Sequence, residues 1–326
     1  MKRIIQVAVL IRTAIVQNVQ AIGPGRGRSA GRLMLLVLAI FLFGSLAHSG
    51  DDPLKGQFVQ KLRSIVETSD AVVGLAIKNL ATGEKIFINE NEVFPQASSI
   101  KVYILAELYH QAEQGKFHLS DVLPLPVSVR VTGSGVLNEL GESSVSMSIR
   151  DYAVLMIVLS DNTATNLLIK QVGMENVNKF LQSHGAVKTK LQRMMMDLKA
   201  AAEGRENIGT PKEVLMILEK LYRGEIVSRK ASEDMLSILQ KPKDGPIRAG
   251  VPADINVANK EGDVEGVRCD VGIVHLPKAP YVICVMTKLL VQDSDGPRII
   301  ADISRLAYQY FERKANSNQF GRRISK

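Results

Sequence analysis

The chain has 326 residues, 46% of them hydrophobic and 23% charged, which is an ordinary globular composition and enough for one large domain or two smaller ones. The formal net charge is +8, but six of the 41 basic residues fall within the first 50 residues, where there is no acidic residue. The remaining 276 residues carry 35 basic against 33 acidic residues, so most of the net charge comes from the leader. The near balance of charge in the rest of the chain excludes a basic nucleic-acid-binding surface.

The first segment has the order of residues typical of a secretory signal. An apolar run of 14 residues, 33–46, is followed by small residues at Ala47 and Ser49, and it is preceded by Arg26, Arg28 and Arg32. The run is short for a membrane span, which needs about 20 residues. We therefore predict that residues 1–49 are a basic leader with a signal peptide and that the protein is secreted to the periplasm or beyond. The alternative is an inner-membrane anchor formed by residues 33–47, which would be the chain's one membrane contact.

Helix and strand patterns alternate after the leader. Apolar residues recur at helical spacing over 53–68, which predicts an amphipathic helix. Two strand patterns follow, 71–78 and 85–89, and the residues Ala81-Thr82-Gly83 between them indicate a hairpin.

The next helix begins close to a serine and a lysine. Pro95 cannot lie inside a helix, so the apolar run 100–108 predicts a buried helix that begins at Ser98 or just before it. Ser98 and Lys101 would share one face of that helix in a dry interior. Burial lowers the pKa of a lysine, and a neutral amine can take the proton of a serine hydroxyl. Taken alone, the same pattern also fits a serine cap followed by a solvated lysine.

The middle of the chain is predicted to be mostly helical, from residue 99 to about 250. Residues 117–140 show no clear period and indicate loops around Gly133-Ser134-Gly135. A capping box, Ser148-Ile149-Arg150-Asp151, opens an apolar helix that stops at Ser160-Asp161-Asn162. Further helical patterns cover 167–172, 175–182, 211–222 and 231–239.

Strand patterns return over 255–260, 267–275 and 281–289, before a final amphipathic helix over 299–311 and a basic tail, 315–326, that we predict to be disordered. The two cysteines, Cys269 and Cys284, fall on either side of a turn, so they form either a cross-strand disulfide or two buried free thiols. Neither they nor the five histidines have metal-ligand spacing, and we expect no metal and no cofactor.

This order predicts an α+β protein with three layers. An antiparallel sheet built from both ends of the chain would carry the terminal helices on one face, and an inserted all-helical subdomain, about 99–250, would cover the other. The whole domain would span residues 50–314. A small ligand is expected in the cleft between the two halves.

Three short stretches of the sequence share a family resemblance. They are Ser98-Ser99-Ile100-Lys101, Ser160-Asp161-Asn162 and Lys260-Glu261-Gly262. In this order and spacing they resemble the motifs of the penicillin-recognising serine hydrolases, most closely the class A β-lactamases and their β-lactamase-like relatives. The resemblance covers about residues 53–313 and implies the serine β-lactamase or DD-peptidase-like fold.

The resemblance implies roles for individual residues. Ser98 would be the nucleophile, Lys101 its general base, and Ser160 the donor of a proton to the leaving nitrogen. The backbone N–H groups of Ser98 and Asp263 would form the oxyanion hole. Lys260 would also steady the Ser160 hydroxyl. The residues implied to contact the substrate are Asn162, Lys260, Gly262, Asp263 and Arg268.

Two positions depart from the family pattern. Class A β-lactamases activate the deacylating water with a loop glutamate, and aligning residues 191–198 with that loop places Met195 at its position. A thioether accepts no proton at neutral pH, so Asp197 is the only nearby carboxylate that could act as a substitute catalytic residue. Glu261 stands where the family has Thr or Ser, which should weaken binding of acidic β-lactams.

The sequence therefore predicts an exported serine hydrolase of the class A β-lactamase type, with an acyl-serine mechanism and weak turnover of β-lactams. Its ligand would be a β-lactam or a small molecule resembling a cell-wall peptide, and the protein would be a monomer. The alternatives are a cell-wall peptidase or esterase, and a penicillin-binding domain that does not hydrolyse its ligand.

Overall fold

The computed structural model describes residues 52–141 and 145–324. The leader and signal peptide predicted for residues 1–49 lie outside this part of the chain. Within the described part, no helix combines the length and the hydropathy of a membrane span.

Nine strands and ten α-helices make up the described chain. The strands are β1 (Val72–Asn79), β2 (Lys85–Ile88), β3 (Phe94–Pro95), β4 (Val122–Pro124), β5 (Ser146–Ser148), β6 (Ile208–Gly209), β7 (Val257–Val264), β8 (Val267–Val274) and β9 (Tyr281–Lys288). The helices are α1 (Pro53–Thr68), α2 (Lys101–Glu113), α3 (Ile149–Val158), α4 (Asn162–Val172), α5 (Met174–Ser183), α6 (Leu198–Ala202), α7 (Pro211–Arg223), α8 (Arg229–Leu239), α9 (Pro246–Ala249) and α10 (Asp295–Ala315). Two 3₁₀ turns, Ala97–Ile100 and Val127–Val129, complete the set.

The main sheet joins the two ends of the chain, as predicted. Its strand order is β2-β1-β9-β8-β7, and every neighbouring pair is antiparallel. Strand β7, which carries Lys260, therefore lies at an open edge of the sheet. A strand at an edge leaves backbone groups free to contact a ligand.

The two faces of the sheet belong to two different hydrophobic cores. Along β9, Tyr281, Ile283 and Val285 pack with the terminal helices α1 and α10. The alternate residues of β9 (Val282, Cys284 and Met286) pack with the inserted helices. Alternation along the strand thus separates the layers, and the three-layer α+β architecture is confirmed.

Aromatic contacts tie the terminal helices to each other. Phe58 of α1 stacks on Tyr310 of α10 with ring centroids 4.3 Å apart, and it meets Phe311 edge to face. Stacked and edge-to-face aromatic pairs of this kind add to the stabilisation gained from burying their surface. This layer holds the sheet from the side opposite to the cleft.

The inserted segment is not wholly helical, which corrects the prediction. Strand β4 lies in the region 117–140 that was predicted to be loops and pairs with β5, and β3 pairs with β6 through Phe94 and Gly209. These strands have two or three residues each, too few for a period-2 pattern to stand out in the sequence.

Some predicted boundaries shift at the C-terminal end. Strand β7 spans Val257–Val264 rather than 255–260, so residues 261–263 also lie within the strand. Helix α10 continues to Ala315, and Ile324 N donates to Asn316 O at 2.8 Å. The region predicted as a disordered tail therefore begins with a hydrogen-bonded turn.

The two cysteines are buried free thiols, which is one of the two predicted alternatives. In the sheet register, Cys269 lies opposite Met286 and Cys284 lies opposite Val271. They are therefore diagonal neighbours rather than a facing pair.

Candidate active site

Ser98 lies in a strained turn that opens into a cavity. The turn Ala97–Ile100 leads directly into α2, and Ala97 has a φ of 45°, which is rare for a residue with a side chain. The cavity has a volume of about 190 Å³ and is lined by Ala97, Ser98, Gly133, Ser134, Asn162, Arg193, Met195, Met196, Leu198, Asn207, Asp263 and Val264. Strain of this kind concentrates at functional sites.

Of the two adjacent serines, only Ser98 has a hydroxyl that is available. Ser99 is fully buried, and its Oγ donates to the main-chain O of Gln96 at 2.7 Å. Ser98 is half-buried, and within residues 52–141 and 145–324 no side-chain hydrogen bond engages its Oγ. Ser98 is therefore the serine that can react with a ligand in the cavity.

Lys101 is buried behind the cavity and points at the second motif. It is 0% exposed, and its Nζ donates to Ser160 O at 2.7 Å, to Ser160 Oγ at 3.0 Å and to Asn162 Oδ1 at 2.9 Å. Burial, together with the positive charge of Lys260, lowers the pKa of Lys101 well below its usual value. A neutral amine in this place can accept a proton from a hydroxyl.

The structure joins Lys101 to Ser160 rather than directly to Ser98. Among the described residues there is no hydrogen bond between Ser98 Oγ and Lys101 Nζ, which the three-residue spacing had led us to expect. The 3₁₀ turn ends where Lys101 begins the α-helix, so the two side chains do not follow regular α-helical spacing.

The second motif fixes the opposite wall of the cavity. Ser160 has a φ of 53°, and Asp161 caps α4 by accepting from Ala164 N at 2.8 Å. The same carboxylate accepts from Val136 N at 2.7 Å and from Leu137 N at 2.9 Å. Asp161 thereby fixes the loop that contains Gly133 and Ser134.

The loop approaches Asp161 so closely that a side chain is excluded at one position. A Cβ added to Gly135, which has a φ of +111°, would lie 2.2 Å from Asp161 Oδ2. Asn162 completes the wall, since its Nδ2 donates to Thr132 O at 3.3 Å while its Oδ1 accepts from Lys101.

The edge strand β7 brings the third motif beside the Ser98 turn. A Cβ on Gly262 would lie 2.7 Å from Ser98 N and 2.6 Å from Gln96 O, so only glycine allows this approach. The next residue, Asp263, lines the cavity. The two proposed oxyanion donors, Ser98 N and Asp263 N, therefore belong to segments that pack directly together.

Lys260 and Arg268 differ from the expected substrate contacts. Lys260 is 1% exposed, and its Nζ donates to Glu261 O at 2.8 Å; in the described chain no hydrogen bond links it to Ser160. Burial lowers the pKa of Lys260, against the opposing effect of Glu261 and other carboxylates. Arg268 lies 3.4 Å from Asp263 Oδ2 and lines a neighbouring cavity rather than the one at Ser98.

The loop that carries Met195 forms the remaining wall. Met195 lines the cavity, as the alignment implied, and both its main-chain groups bind the side chain of Asn166: its N donates to Oδ1 at 2.8 Å and its O accepts from Nδ2 at 3.2 Å. Met196 has a φ of 61°, another strained position at the cavity. The loop is thus held in a defined conformation with a thioether directed at the site.

Two further contacts anchor this loop. Arg193 Nη2 donates to Glu206 Oε2 at 2.8 Å. Asn207 accepts from Arg193 N at 3.0 Å through its side chain, and its main-chain O accepts from Gln96 N at 2.7 Å. Asn207 therefore connects the loop to the turn that presents Ser98.

Asp197 is not placed to replace a catalytic glutamate. Its Oδ1 accepts from Ala200 N at 3.0 Å, so the side chain caps α6. It does not line the Ser98 cavity. Asp197 is only two residues from Met195 in the sequence, but its side chain caps the helix instead of entering the cavity.

Several residues that shape the site carried no assigned role in the sequence analysis. Asp161 belongs to the second motif and Asn166 to the helix that follows it, and Asn207 had no local signal. Their contacts join segments distant in sequence, so only the fold brings them together. Among the described residues, no group of His, Cys, Asp and Glu side chains is arranged to hold a metal ion.

Comparison with known proteins agrees with this geometry. The profile of the Beta-lactamase enzyme family matches residues 57–311. Beta-lactamase SME-1 of Serratia marcescens is 27% identical over 301 residues, which cover 86% of this chain and 97% of that protein. The structure of a beta-lactamase from Sphaerobacter thermophilus DSM 20745 is 31% identical and superposes with a TM-score of 0.73 over 78% of this chain and 97% of its own. A mutant of PBP-A, solved as an acyl-enzyme complex with penicillin G, is 28% identical and superposes with a TM-score of 0.73 over 79% of this chain and 97% of its own.

Proposed function

This chain belongs to the beta-lactamase enzyme family and is a class A β-lactamase-like serine hydrolase, and from that premise we propose that it reacts with β-lactams through an acyl-enzyme on Ser98 that is released slowly. The observation that carries the proposal is the buried Lys101, bonded to Ser160 and Asn162 behind a cavity that exposes the unengaged Ser98 hydroxyl. A nucleophile, a base and a proton path would then lie together at and behind one cavity, as acyl transfer requires.

Acylation would proceed by attack of Ser98 Oγ on the lactam carbonyl carbon. The hydroxyl proton passes to the neutral amine of Lys101 as the C–O bond forms. Ser160, hydrogen-bonded to that amine, donates a proton to the lactam nitrogen as the C–N bond breaks, and Lys101 returns a proton to Ser160. The N–H groups of Ser98 and Asp263 stabilise the oxyanion of the tetrahedral intermediate.

Substrate binding would use the remaining motif residues. Asn162 faces the cavity and would hold the acyl amide of the ligand. Gly262 allows the edge strand to pack against the Ser98 turn. Lys260, which donates to Glu261 O, would contribute its positive charge without direct contact with the ligand. Arg268 would act at the outer end of a long ligand, in the neighbouring cavity.

Release of the acyl group would be slow because the loop offers no base. Hydrolysis needs a group that activates water, and losing such a group typically costs about 10²-fold to 10⁴-fold in rate. Met195 stands at this place, and the nearest loop carboxylate, Asp197, is committed to a helix cap.

A penicillin-binding protein that does not turn its ligand over is the second candidate, and Met195 is the observation that favours it. A cell-wall peptidase or esterase would use the same acylation chemistry on a different acyl donor, with its leaving group in the same position.

We also propose that the protein is exported, on the basis of the basic and apolar order of residues 26–49. The intact mass of the protein recovered from its native cells would show whether this segment is removed. A mature chain that begins after Ala47 or Ser49 supports cleavage, and a chain that retains residues 33–47 in the membrane fraction supports the anchor.

The test of function is a time course with benzylpenicillin at pH 7.5, followed by intact mass and by ring-opening absorbance. We expect an initial burst equal to one ring opened per protein, an adduct of the penicillin mass, and a much slower steady rate. A steady rate with no burst and no adduct would contradict slow release, and an unmodified protein with an intact lactam would contradict acylation.

A further inference from the structure

A second cavity adjoins the Ser98 cavity across the edge strand. Its volume is about 580 Å³, and it lies between strand β7, the segment 244–255 and the start of α10. Asp263 lines both cavities. The two cavities therefore meet at Asp263, and Gly262, which lines the larger one, packs against the Ser98 turn.

Three cations at or beside this cavity each donate to a main-chain carbonyl, although the buried Nε of Arg248 has no partner among the described residues. Arg268 lies 3.4 Å from Asp263 Oδ2 and donates to Val267 O at 3.2 Å. Arg248 donates through Nη2 to Val257 O at 2.5 Å. Lys260 is buried, lines neither cavity and donates to Glu261 O.

Two carboxylates of the same wall are not engaged. Within residues 52–141 and 145–324, neither Glu261 nor Asp244 forms an ion pair within 4.0 Å or a hydrogen bond through its side chain. Glu261 is the nearer of the two to the reaction, since it precedes Gly262, which packs on the Ser98 turn. Burial, with the nearby carboxylates Asp263 and Asp244, raises the pKa of Glu261 against the opposing effect of Lys260 and Arg268. A further positive charge in the cavity would therefore stabilise its ionised form.

We propose that Glu261 is a specificity-determining residue, which disfavours a carboxylate on the ligand next to Gly262 and favours a cationic group that extends into the larger cavity. This inference rests on the proposed acylation at Ser98. It assigns to Glu261 a selection by charge, which the Thr or Ser of the family pattern cannot make.

The expected size follows from the charges. Two like charges about 4 Å apart repel by an amount that corresponds to about fivefold in rate in water and up to about a thousandfold at a protein-surface dielectric. Glu261 is half-buried, so we expect a preference of at least about tenfold for the cationic ligand over the anionic one.

The experiment compares three penicillins that share one ring system and one acyl side chain. The ring carboxylate is free in the first, a primary amide in the second and an aminoethyl amide in the third. The second-order rate constant of adduct formation is measured by intact mass at pH 8, where Glu261 is more fully ionised. We expect the order aminoethyl amide, primary amide, carboxylate, from fastest to slowest.

The variants separate charge from shape. Glu261→Gln keeps the size of the side chain and should bring the three rate constants within about threefold of one another. Glu265→Gln, on the exposed turn after β7 and outside both cavities, removes the same charge and should preserve the wild-type order. Circular dichroism and the midpoint of thermal unfolding establish that each variant is folded.

The outcomes are distinguishable. Equal rates for the three ligands, or a preference for the carboxylate that Arg248→Gln abolishes, would overturn the role of Glu261 and leave acylation intact. No adduct with any of the three ligands would overturn the proposed function and this inference together.

Discussion

The Ser98 cavity has two walls that are both fixed by hydrogen bonds but differ in their chemistry. The lysine wall consists of Asn162, which lines the cavity, and of Lys101 and Ser160, which lie behind it, whereas the methionine wall consists of Met195, Met196 and Leu198. Both are fixed by hydrogen bonds from buried or strained residues, such as Asp161 behind the first and Asn166 behind the second. Only the lysine wall holds a group that can accept a proton.

The difference separates the two halves of a hydrolysis. In the proposed mechanism, forming the acyl-enzyme requires the lysine wall, whereas releasing it would require a base on the methionine wall. A loop that keeps its conformation but lacks a base is expected to slow release of the acyl group and to leave its formation unchanged. Variants on the two walls should therefore affect different rate constants.

The largest expected effect comes from the lysine wall. Lys101→Met removes the amine but keeps most of the volume, so acylation by benzylpenicillin should fall by about 10²-fold to 10⁴-fold. The rate of adduct formation, followed by intact mass, measures this. The control Lys170→Met changes an exposed lysine of α4 and should act like the wild type. An acylation rate for Lys101→Met within threefold of the wild type would remove Lys101 from the mechanism.

The methionine wall should affect release alone. Met195→Glu places a carboxylate in the cavity and should shorten the adduct's lifetime, by up to about 10²-fold to 10⁴-fold if water is well placed. The lifetime is measured after excess ligand is removed. Lys199→Glu adds a carboxylate on the exposed side of α6 and should leave the lifetime unchanged. If both variants release the acyl group at the wild-type rate, the role assigned to this wall is wrong.

Removing the hydrogen bonds that Asn166 forms with the methionine wall should lower the free energy of unfolding and leave the rate of acylation unchanged. Asn166→Ala leaves the buried N–H and C=O of Met195 without a partner, and each such group costs about 1–3 kcal/mol. We expect the free energy of unfolding in urea to fall by about 2 kcal/mol. Adduct formation should stay within about threefold of the wild type, and a loss as large as that of Lys101→Met would show that the walls are not separable.

The smallest expected effect concerns Asp270, a buried carboxylate of β8. Burial raises the pKa of Asp270 to about 6, above its unfolded value of about 4. The folded state holds this proton more tightly, so this group's contribution to stability falls as the pH rises from about 4 to about 6. Asp270→Asn removes the charge, but it also offers one acceptor oxygen in place of the two that bind Ile247 N and Asn259 Nδ2. We therefore expect its stability relative to the wild type to be higher by about 1 kcal/mol at pH 8 than at pH 5.

The pH dependence of that relative stability tests its cause. Because Asp270 is mostly protonated below its folded pKa, the difference between variant and wild type should be less favourable to the variant at pH 5. Urea unfolding at the two pH values measures it. A difference that is the same at both pH values would mean that the charge of Asp270 is not responsible.

Much of the fold could be predicted from periodicity and caps. The helix over 53–68, the capping box at Ser148 and the five strand segments of the main sheet depend on local patterns that the tertiary structure preserves. The layer arrangement followed from the alternation of patterns along the chain. The short pairs β3–β6 and β4–β5 could not be predicted, because they are stabilised by contacts between distant segments rather than by local pattern.

The site could be predicted as a set of residues but not as a network. The three motifs indicated which side chains would meet, and the structure places Ser98, Asn162 and Asp263 at one cavity. The direction of Lys101 toward Ser160, the engagement of Lys260 by Glu261 and the cap formed by Asp197 depend on backbone geometry. Sequence spacing does not define that geometry.

The most direct test of the central claim is to locate the covalent adduct. Protein treated with benzylpenicillin is quenched in acid, digested and mapped by fragmentation mass spectrometry, with Ser98→Ala treated in parallel. The account predicts one acyl group, on Ser98, and none on the variant. An acyl group on Ser99 or Ser160, or an adduct that persists in Ser98→Ala, would contradict it.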